Sequence, residues 1–464
     1  MNINRRRALR TALLLGIPWL FTGRRLNAGK SETKKDSGRT VVVIGAGIAG
    51  LAAARELTTD GFRVIVLESR DRPGGRIWTD NTLGTAVDLG AAWIHGDSSS
   101  NPLMKMVNQY GLTTKATDWD KTWLFDRGNG VIEDRTYDEI ERKSEQIIQR
   151  LYQMQLTASS GQSVSDALMV LLKELDGDLT VRRGINWWLA SEIGGEYADN
   201  FDRIPLKYWD ADETYSGYDV MISGGFKTII EQIKQGIDIR YGHIVDSVNY
   251  SNSIAKVSTR QGTIDCDYVV VTVPLGVLQQ QRIRFNPQLP NDKMESINRL
   301  GMGVMNKLVL RFPKRFWPKD AHRFGLLKST TENLIEYYPM TPYSEEPIIV
   351  GLTWGRNAKS IESAGKDDVV QLALSELKTM LGSSIPSEVS NAIVTRWHSD
   401  EFSGGSYSHL LPGSSFSDYR TLAKSIGKQV YFAGEATNAT HPGTVHGAYS
   451  SGIRAAKEIM ILND

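Results

Sequence analysis

The sequence predicts an α/β fold that begins with a nucleotide-binding strand-helix-strand unit, and three observations carry that prediction. Thr40 to Ile44 (TVVVI) is an apolar run of strand type that opens directly into Gly45-Ala46-Gly47-Ile48-Ala49-Gly50. A helical stretch from Leu51 to Leu57 follows, then a turn at Asp60-Gly61 and a second strand from Arg63 to Leu67. Glu68 closes that strand eighteen residues after Gly50. A lone GxGxxG is weak, but strand, glycines, helix, strand and acid in this order describe a Rossmann-like dinucleotide site. Gly45 permits the tight turn, Gly47 lets the backbone approach a pyrophosphate, and Gly50 lets helix and strand pack closely. Gly45, Ala46, Gly47, Ala49 and Gly50 are the predicted contacts, at a helix N-terminus that brings partial positive charge. Glu68 is expected to accept hydrogen bonds from ribose hydroxyls.

Composition agrees with a globular enzyme of two or three domains: 464 residues, 41% hydrophobic and 23% charged, with a formal net charge of +1. Residues 1–28 contain six arginines and no acid, so the remainder carries 48 basic against 53 acidic residues, a net −5. No basic stripe for nucleic acid is expected of such a body. The single cysteine, Cys266, excludes an internal disulfide framework and a multi-cysteine metal site. No metal is predicted.

The first segment is of a different kind. Arg5-Arg6-Arg7-Ala8-Leu9-Arg10 precedes an uncharged stretch from Thr11 to Gly23 that falls short of the ~20 apolar residues a membrane span needs. It resembles a twin-arginine export signal without the phenylalanine of that motif, implying a periplasmic or thylakoid-lumen-like compartment. A basic tail on a cytoplasmic protein and an uncleaved anchor are the alternatives. Lys30 to Gly38 reads as a linker.

After Glu68 come Ser69-Arg70-Asp71-Arg72-Pro73-Gly74-Gly75-Arg76-Ile77, a glycine-rich turn carrying arginines. A second phosphate-cradling loop at this place is typical of FAD proteins, with Ser69, Arg70, Gly75 and Arg76 as contacts; Arg70 and Arg72 as solvated loop charges are the bland alternative. Near the other end, Gln429 to Ala433 is a strand followed by Gly434-Glu435, and His441 to Gly452 runs into a helix that ends at Ile461. With Asp88-Leu89-Gly90-Ala91-Ala92-Trp93-Ile94-His95-Gly96, these segments resemble the four separated motifs of the flavin amine oxidase superfamily over about residues 39 to 464.

The resemblance implies non-covalent FAD held also by Trp93, Ile94, Val245, Trp397, Gly434, Glu435, Thr444 and Val445. It implies a Rossmann-like FAD-binding domain of the amine-oxidase (GR2) type, built from 39–117, 216–288 and 411–464. Interleaved with it is an α+β substrate-binding domain from 118–215 and 289–410, after an export signal and linker over 1–38. Helices are expected over Ile140 to Met154 and Val164 to Leu175, a helix opened by Gly224-Gly225-Phe226, and strands over Ile264 to Val273 and Met305 to Arg311.

In this family a neutral amine passes hydride equivalents from its α-carbon to flavin N5, and water hydrolyses the resulting imine. Gly301 to Leu310 matches the segment whose lysine holds a water there, which makes Lys307 the catalytic candidate; a lysine inside an apolar strand is costly to bury without a task. Monoamine oxidases have a flavin-linked cysteine directly before the cage tyrosine. Here Ser406 precedes Tyr407, so the flavin is expected to be non-covalent, and Cys266 is read as a core thiol. Thr444 stands where the second cage aromatic would be.

Trp93 to Gly96 and Trp187 to Glu196 resemble the polyamine and spermine oxidase branch, placing His95 and Glu192 in a substrate tunnel with Tyr407 and Thr444. A polycation suits spaced acids and aromatic walls. The alternatives are a structural histidine at His95, a surface helix acid at Glu192, and a solvated turn for Asp210, Asp212 and Glu213. The expected activity is oxidation of spermine or spermidine by O2, giving an aldehyde, a shortened amine and hydrogen peroxide. An L-amino-acid or monoamine oxidase is the rival, and a flavin-fold protein that binds without turnover is a third reading. Histone-tail demethylation is not expected, because the chain has no long antiparallel-helix insertion and begins with an export-like segment. Oligomeric state is not legible.

Overall fold

A computed structural model describes residues 37–462 except 128–129, 176 and 329–334. The expected export segment and most of its linker lie outside the described residues. Among the described residues no helix is long and apolar enough to cross a membrane, and no group of His, Cys, Asp and Glu side chains could hold a metal ion.

The frame of the nucleotide half is a five-stranded parallel sheet, in the order Val430–Phe432, Tyr268–Val271, Thr40–Ile44, Arg63–Leu67, Asp238–Arg240. Thr40–Ile44 lies at its centre because Val41, Val42, Val43 and Ile44 are apolar on both faces, as a parallel strand between helices must be. The helix Ile48–Thr59 returns the chain to the second strand and packs on Val445–Met460. Gly452 makes that contact possible: a Cβ there would lie 2.1 Å from Ala49 O. The opposite face is covered by a meander, Val245–Asn249, Ala255–Thr259 and Gly262–Cys266, with Arg284–Asn286 parallel to its first strand.

The expected single strand over 264–273 is two. Cys266 ends the meander and Tyr268–Val271 belongs to the parallel sheet. The break falls at Asp267, whose carboxylate accepts from Thr40 N and Arg39 Nη1, both at 2.8 Å.

A seven-stranded sheet forms the other half, in the order Asn391–Val394, Met305–Arg311, Ile348–Trp354, Glu336–Pro339, Arg323–Leu327, Thr122–Asp126, Gly130–Val131. Among the described residues only Arg323–Leu327 and Thr122–Asp126 pair in parallel in this sheet. The helices Asp134–Gln155, Val164–Leu171 and Leu179–Leu189 pack near it, sharing one apolar cluster with its strands. The second helix is shorter than expected: it starts at a Ser163–Asp166 capping box and tightens into a 3-10 turn over Leu172–Glu174. Gly301–Gly303 pairs with Tyr407–His409, which carries Tyr407 into the space between the two large sheets.

Candidate active site

A cavity of about 710 Å³ lies between the sheets, reached by Ile44 and Glu68 from the parallel sheet and by Lys307 and Glu336 from the seven-stranded one. Its nucleotide end is built by the first turn. Gly45 has φ +106°, and a Cβ on it would lie 2.8 Å from Thr272 Oγ1. A Cβ on Gly50 would lie 2.0 Å from Gly45 O, so helix and turn touch there. Gly47, in contrast, would point a Cβ into open space. It is the N-cap of Ile48–Thr59, and no side chain caps that helix, so its first-turn N–H groups are left for an anion in the cavity.

Glu68 is buried. Its Oε2 accepts from Ala46 N at 2.7 Å and its Oε1 from Arg70 N at 2.9 Å. His243 Nδ1, beside Glu68 and Val245 in the lining, is buried without a hydrogen-bond partner. An open Gly47 backbone, an uncapped helix start, a buried carboxylate after the second strand and an orphaned ring nitrogen fit a dinucleotide such as FAD.

Of the cofactor residues read from the sequence, Gly45, Gly47, Ala49, Glu68, Ser69, Arg70, Gly75, Arg76, Trp93, Val245, Trp397, Gly434, Glu435, Thr444 and Val445 line the cavity. Ala46, Gly50 and Ile94 do not. Ala46 orients Glu68, Gly50 is a packing contact, and Ile94 is a core residue whose backbone bridges Val220. The Arg70 guanidinium is no solvated loop charge: both its Nη atoms donate to Asp400, at 2.9 and 2.6 Å, and it lies over the Phe402 ring. Arg72 likewise donates to the carbonyls of Pro73, Gly75 and Ile77. Glu435 acts inside the wall, accepting from Arg76 Nη1 at 2.8 Å, Ser408 Oγ at 2.5 Å and Gly443 N at 3.0 Å.

Lys307 reaches the middle of the cavity from a strand buried on both faces. Its Nζ donates to Asp88 O at 2.7 Å and Gly90 O at 2.8 Å, and lies 5.7 Å from the Trp93 ring centre. Trp397 Nε1 takes the carbonyl between them, Leu89 O, at 3.2 Å. Burial pulls the ammonium down to about 8, against the opposing Asp88 charge. Asp88 itself is pushed up to about 6 by burial, while Thr79 and Phe226 N hold its carboxylate.

Tyr407 donates to Gly195 O at 2.7 Å, and burial raises its hydroxyl well above the ordinary range. Thr444 lines the cavity but its hydroxyl caps Val445–Met460, accepting from Gly447 N at 3.0 Å. Ser406 Oγ exchanges hydrogen bonds with the Met305 backbone. Cys266, the chain's one thiol, is buried in the meander and pushed up to about 12 by burial, so no thiol faces the cavity.

At the far end His95 Nδ1 lies 3.0 Å from Asp219 Oδ1, and Asp219 Oδ2 accepts from Trp119 Nε1 at 3.0 Å. Glu192 is not a surface acid: it sits in a π-helical turn, Ala190–Gly194, and faces Arg323 at 3.6 Å. Asp210, Asp212 and Glu213 line the cavity as well, so their segment is not merely a solvated turn. Sequence reasoning missed Asp219, Arg323 and Glu336. The last two carry the signal that picked out Lys307, a charge inside an apolar strand: Arg323 opens RFGLL and Glu336 opens EYYP, both wholly buried.

A flavoprotein with its dinucleotide and a second ligand in one cavity is the class that this fold and site fit. Comparison with known proteins agrees. Residues 48–460 match the family described as flavin containing amine oxidoreductase. Polyamine oxidase 2 of Arabidopsis thaliana is 34% identical over 444 residues, covering 92% of this chain and 89% of the relative. Lysine-specific histone demethylase 1 homolog 2 of the same plant is also 34% identical, but this chain spans only 58% of it. The solved structure of wild-type putrescine oxidase bound to putrescine superposes with a TM-score of 0.73 over 91% of this chain and 99% of that one. At 20% identity that likeness shows the fold. The chain belongs to the flavin-containing amine oxidoreductase family, as an FAD-dependent amine oxidase similar to the plant polyamine oxidases.

Proposed function

We propose that the chain oxidises spermine or spermidine at a carbon beside a secondary nitrogen, with O2 as final acceptor. The overall change is amine, O2 and water to aldehyde, shortened amine and hydrogen peroxide. The observation that carries this reading is the substrate half of the cavity, where Glu192, Glu196, Asp210, Asp212, Asp219 and Glu336 stand among Trp93, Trp119, Tyr338 and Tyr407. Spaced carboxylates and aromatic faces are the lining a flexible polycation requires.

FAD bound there supplies the two-electron acceptor. The chain's own groups prepare the amine. Lys307 fixes the carbonyls of Asp88 and Gly90 with two N–H groups and keeps its remaining position, an N–H when charged or a lone pair when neutral, for a water in the cavity. Tyr407 and Trp397 wall the reacting end, while Thr444 leaves that wall less crowded than a second aromatic would. The reacting nitrogen must be neutral while distal nitrogens remain charged, so turnover rises from neutral to alkaline pH. The arginines before Thr11 support the further proposal of export as a folded, FAD-loaded protein, which cell fractionation tests. Peroxide release from putrescine, spermidine, spermine, their acetylated forms and L-amino acids, with products identified by mass, tests the activity. Turnover of L-amino acids alone would replace it with the rival reading.

A further inference from the structure

Lys307 and Trp397, which hold the carbonyls of Asp88, Leu89 and Gly90 in the cavity wall, share a buried neighbour that does not itself line the cavity. It is Asn306, and the sheet explains why an amide stands there. Asn391–Val394 pairs with Met305–Arg311 as far as Leu308, and Thr395 N adds one more bond, to Lys307 O at 2.9 Å. The chain then leaves the ladder towards Trp397, and side chains take the place of backbone partners. Asn306 Oδ1 accepts from Trp397 N and from Thr395 Oγ1, both at 3.0 Å, while Thr395 Oγ1 accepts from Lys307 N at 2.8 Å. One amide oxygen thus ties Trp397 directly and Lys307 through Thr395.

The other end of the amide fixes its orientation. Asn306 Nδ2 donates to Glu362 Oε1 at 2.7 Å and to Ala358 O at 3.4 Å, both on the helix Gly355–Ser363. Both acceptor and both donor places of the amide are therefore taken. The Glu362 carboxylate also accepts from His398 N and Ser399 N, each at 2.8 Å, and Arg396 donates to the Glu362 backbone oxygen. Every residue from Thr395 to Ser399 is bonded to Asn306 or Glu362. The Trp397 indole is packed as tightly: Trp78 meets it edge to face at 6.2 Å, and a Cβ on Gly90 would lie 3.4 Å from its Cζ2. A shift of the Trp397 backbone is passed on to the carbonyl segment that Lys307 also holds, because such packing leaves no slack.

We propose that Asn306 and Glu362 are positioning residues, which set where Trp397 and Lys307 stand in the cavity wall and thereby the rate of amine oxidation rather than the affinity for the amine. The proposal rests on the reading that Lys307 and Trp397 face the reacting end. Neither Asn306 nor Glu362 lines the cavity, so the contacts of the amine itself stay as they are when either is changed. A misplacement of ~1 Å at reacting groups costs up to about a hundredfold in rate.

Asn306→Asp tests this in the FAD-loaded full chain, because it replaces the N–H that faces Glu362 with a second carboxylate oxygen of the same size. With spermidine, kcat per bound flavin is expected to fall about tenfold or more while KM stays within about twofold. Adding Glu362→Gln returns an N–H to the pair, and kcat is expected to recover to within about threefold of wild type. A single variant whose kcat lies within about twofold of wild type overturns the proposal, as does a double variant no faster than the single one. If Asn306→Asp does not load FAD, Glu362→Gln alone decides by a measurement that needs no turnover. In nitrogen-labelled tryptophan spectra of the chain as purified, the Trp397 indole N–H, assigned through Trp397→Phe, is expected to exchange with solvent about tenfold or more faster than in wild type. Equal exchange overturns the proposal. A wild type that oxidises neither spermidine nor spermine overturns the polyamine reading, while the indole exchange still judges the positioning.

Discussion

Lys307 Nζ lies 2.7 Å from the backbone oxygen of Asp88, a residue 219 positions earlier in the chain. That bond joins the strand Met305–Arg311 to the segment Asp88-Leu89-Gly90, whose three consecutive carbonyls are all taken, two by Lys307 and one by Trp397. The lysine is therefore both part of the cavity wall and a tie between the two halves of the molecule. Lys307→Met should slow flavin reduction or reoxidation by on the order of ten- to a hundredfold in stopped flow. Undiminished turnover would remove the role assigned to it.

The same lysine predicts a pH effect on stability. Its folded value, about 8, lies below the ordinary lysine value of 10.5. Between these two values the unfolded chain holds a proton that the folded chain has lost, so this group's contribution to stability rises with pH across that window. Below it the contribution is unfavourable and constant. Thermal melts of wild type minus Lys307→Met should show that rise, and a difference independent of pH would contradict it.

Two glycine variants separate cofactor binding from folding. Gly47 has φ −70° and open space before it, so Gly47→Ala should fold normally and lose FAD affinity by about tenfold or more, because its methyl group enters the pyrophosphate approach. Gly50→Ala places a Cβ 2.0 Å from Gly45 O and should lower stability itself. FAD content after gel filtration, beside melting temperature, checks both. Full FAD affinity in the Gly47→Ala variant would deny Gly47 its place at the phosphates.

Lys293 does not line the cavity. Its Nζ donates to the carbonyls of Thr421, Leu422 and Lys424, at 3.0, 2.7 and 2.7 Å, closing the end of the helix Phe416–Ala423. Lys293→Met should cost about 2–4 kcal/mol in chemical denaturation, because three carbonyls, that of Leu422 buried, lose their shared donor. A loss within experimental error would mean that water replaces the ammonium.

In the nucleotide half the first strand-helix-strand unit was legible, since its constraints are local. Thr40–Ile44 and Arg63–Leu67 there, and Met305–Arg311 in the other half, have the bounds that their apolar runs announce. The substrate half was less so. Arg323 and Glu336 come from two paired strands and Asp219 from the segment before Val220–Ile222, and one cavity gathers them through tertiary folding that no local pattern encodes. Roles also shifted where backbone groups compete for a side chain. Thr444 is a helix cap, Ala46 orients Glu68, and Arg70 is bound to Asp400 rather than lying open in its loop.

Anaerobic mixing of the FAD-loaded chain with spermidine, followed at the flavin absorbance, tests the central claim most directly. Bleaching of the oxidised flavin, with one aldehyde formed per flavin, is the expected result. An oxidised flavin that persists with both spermidine and spermine would contradict the account.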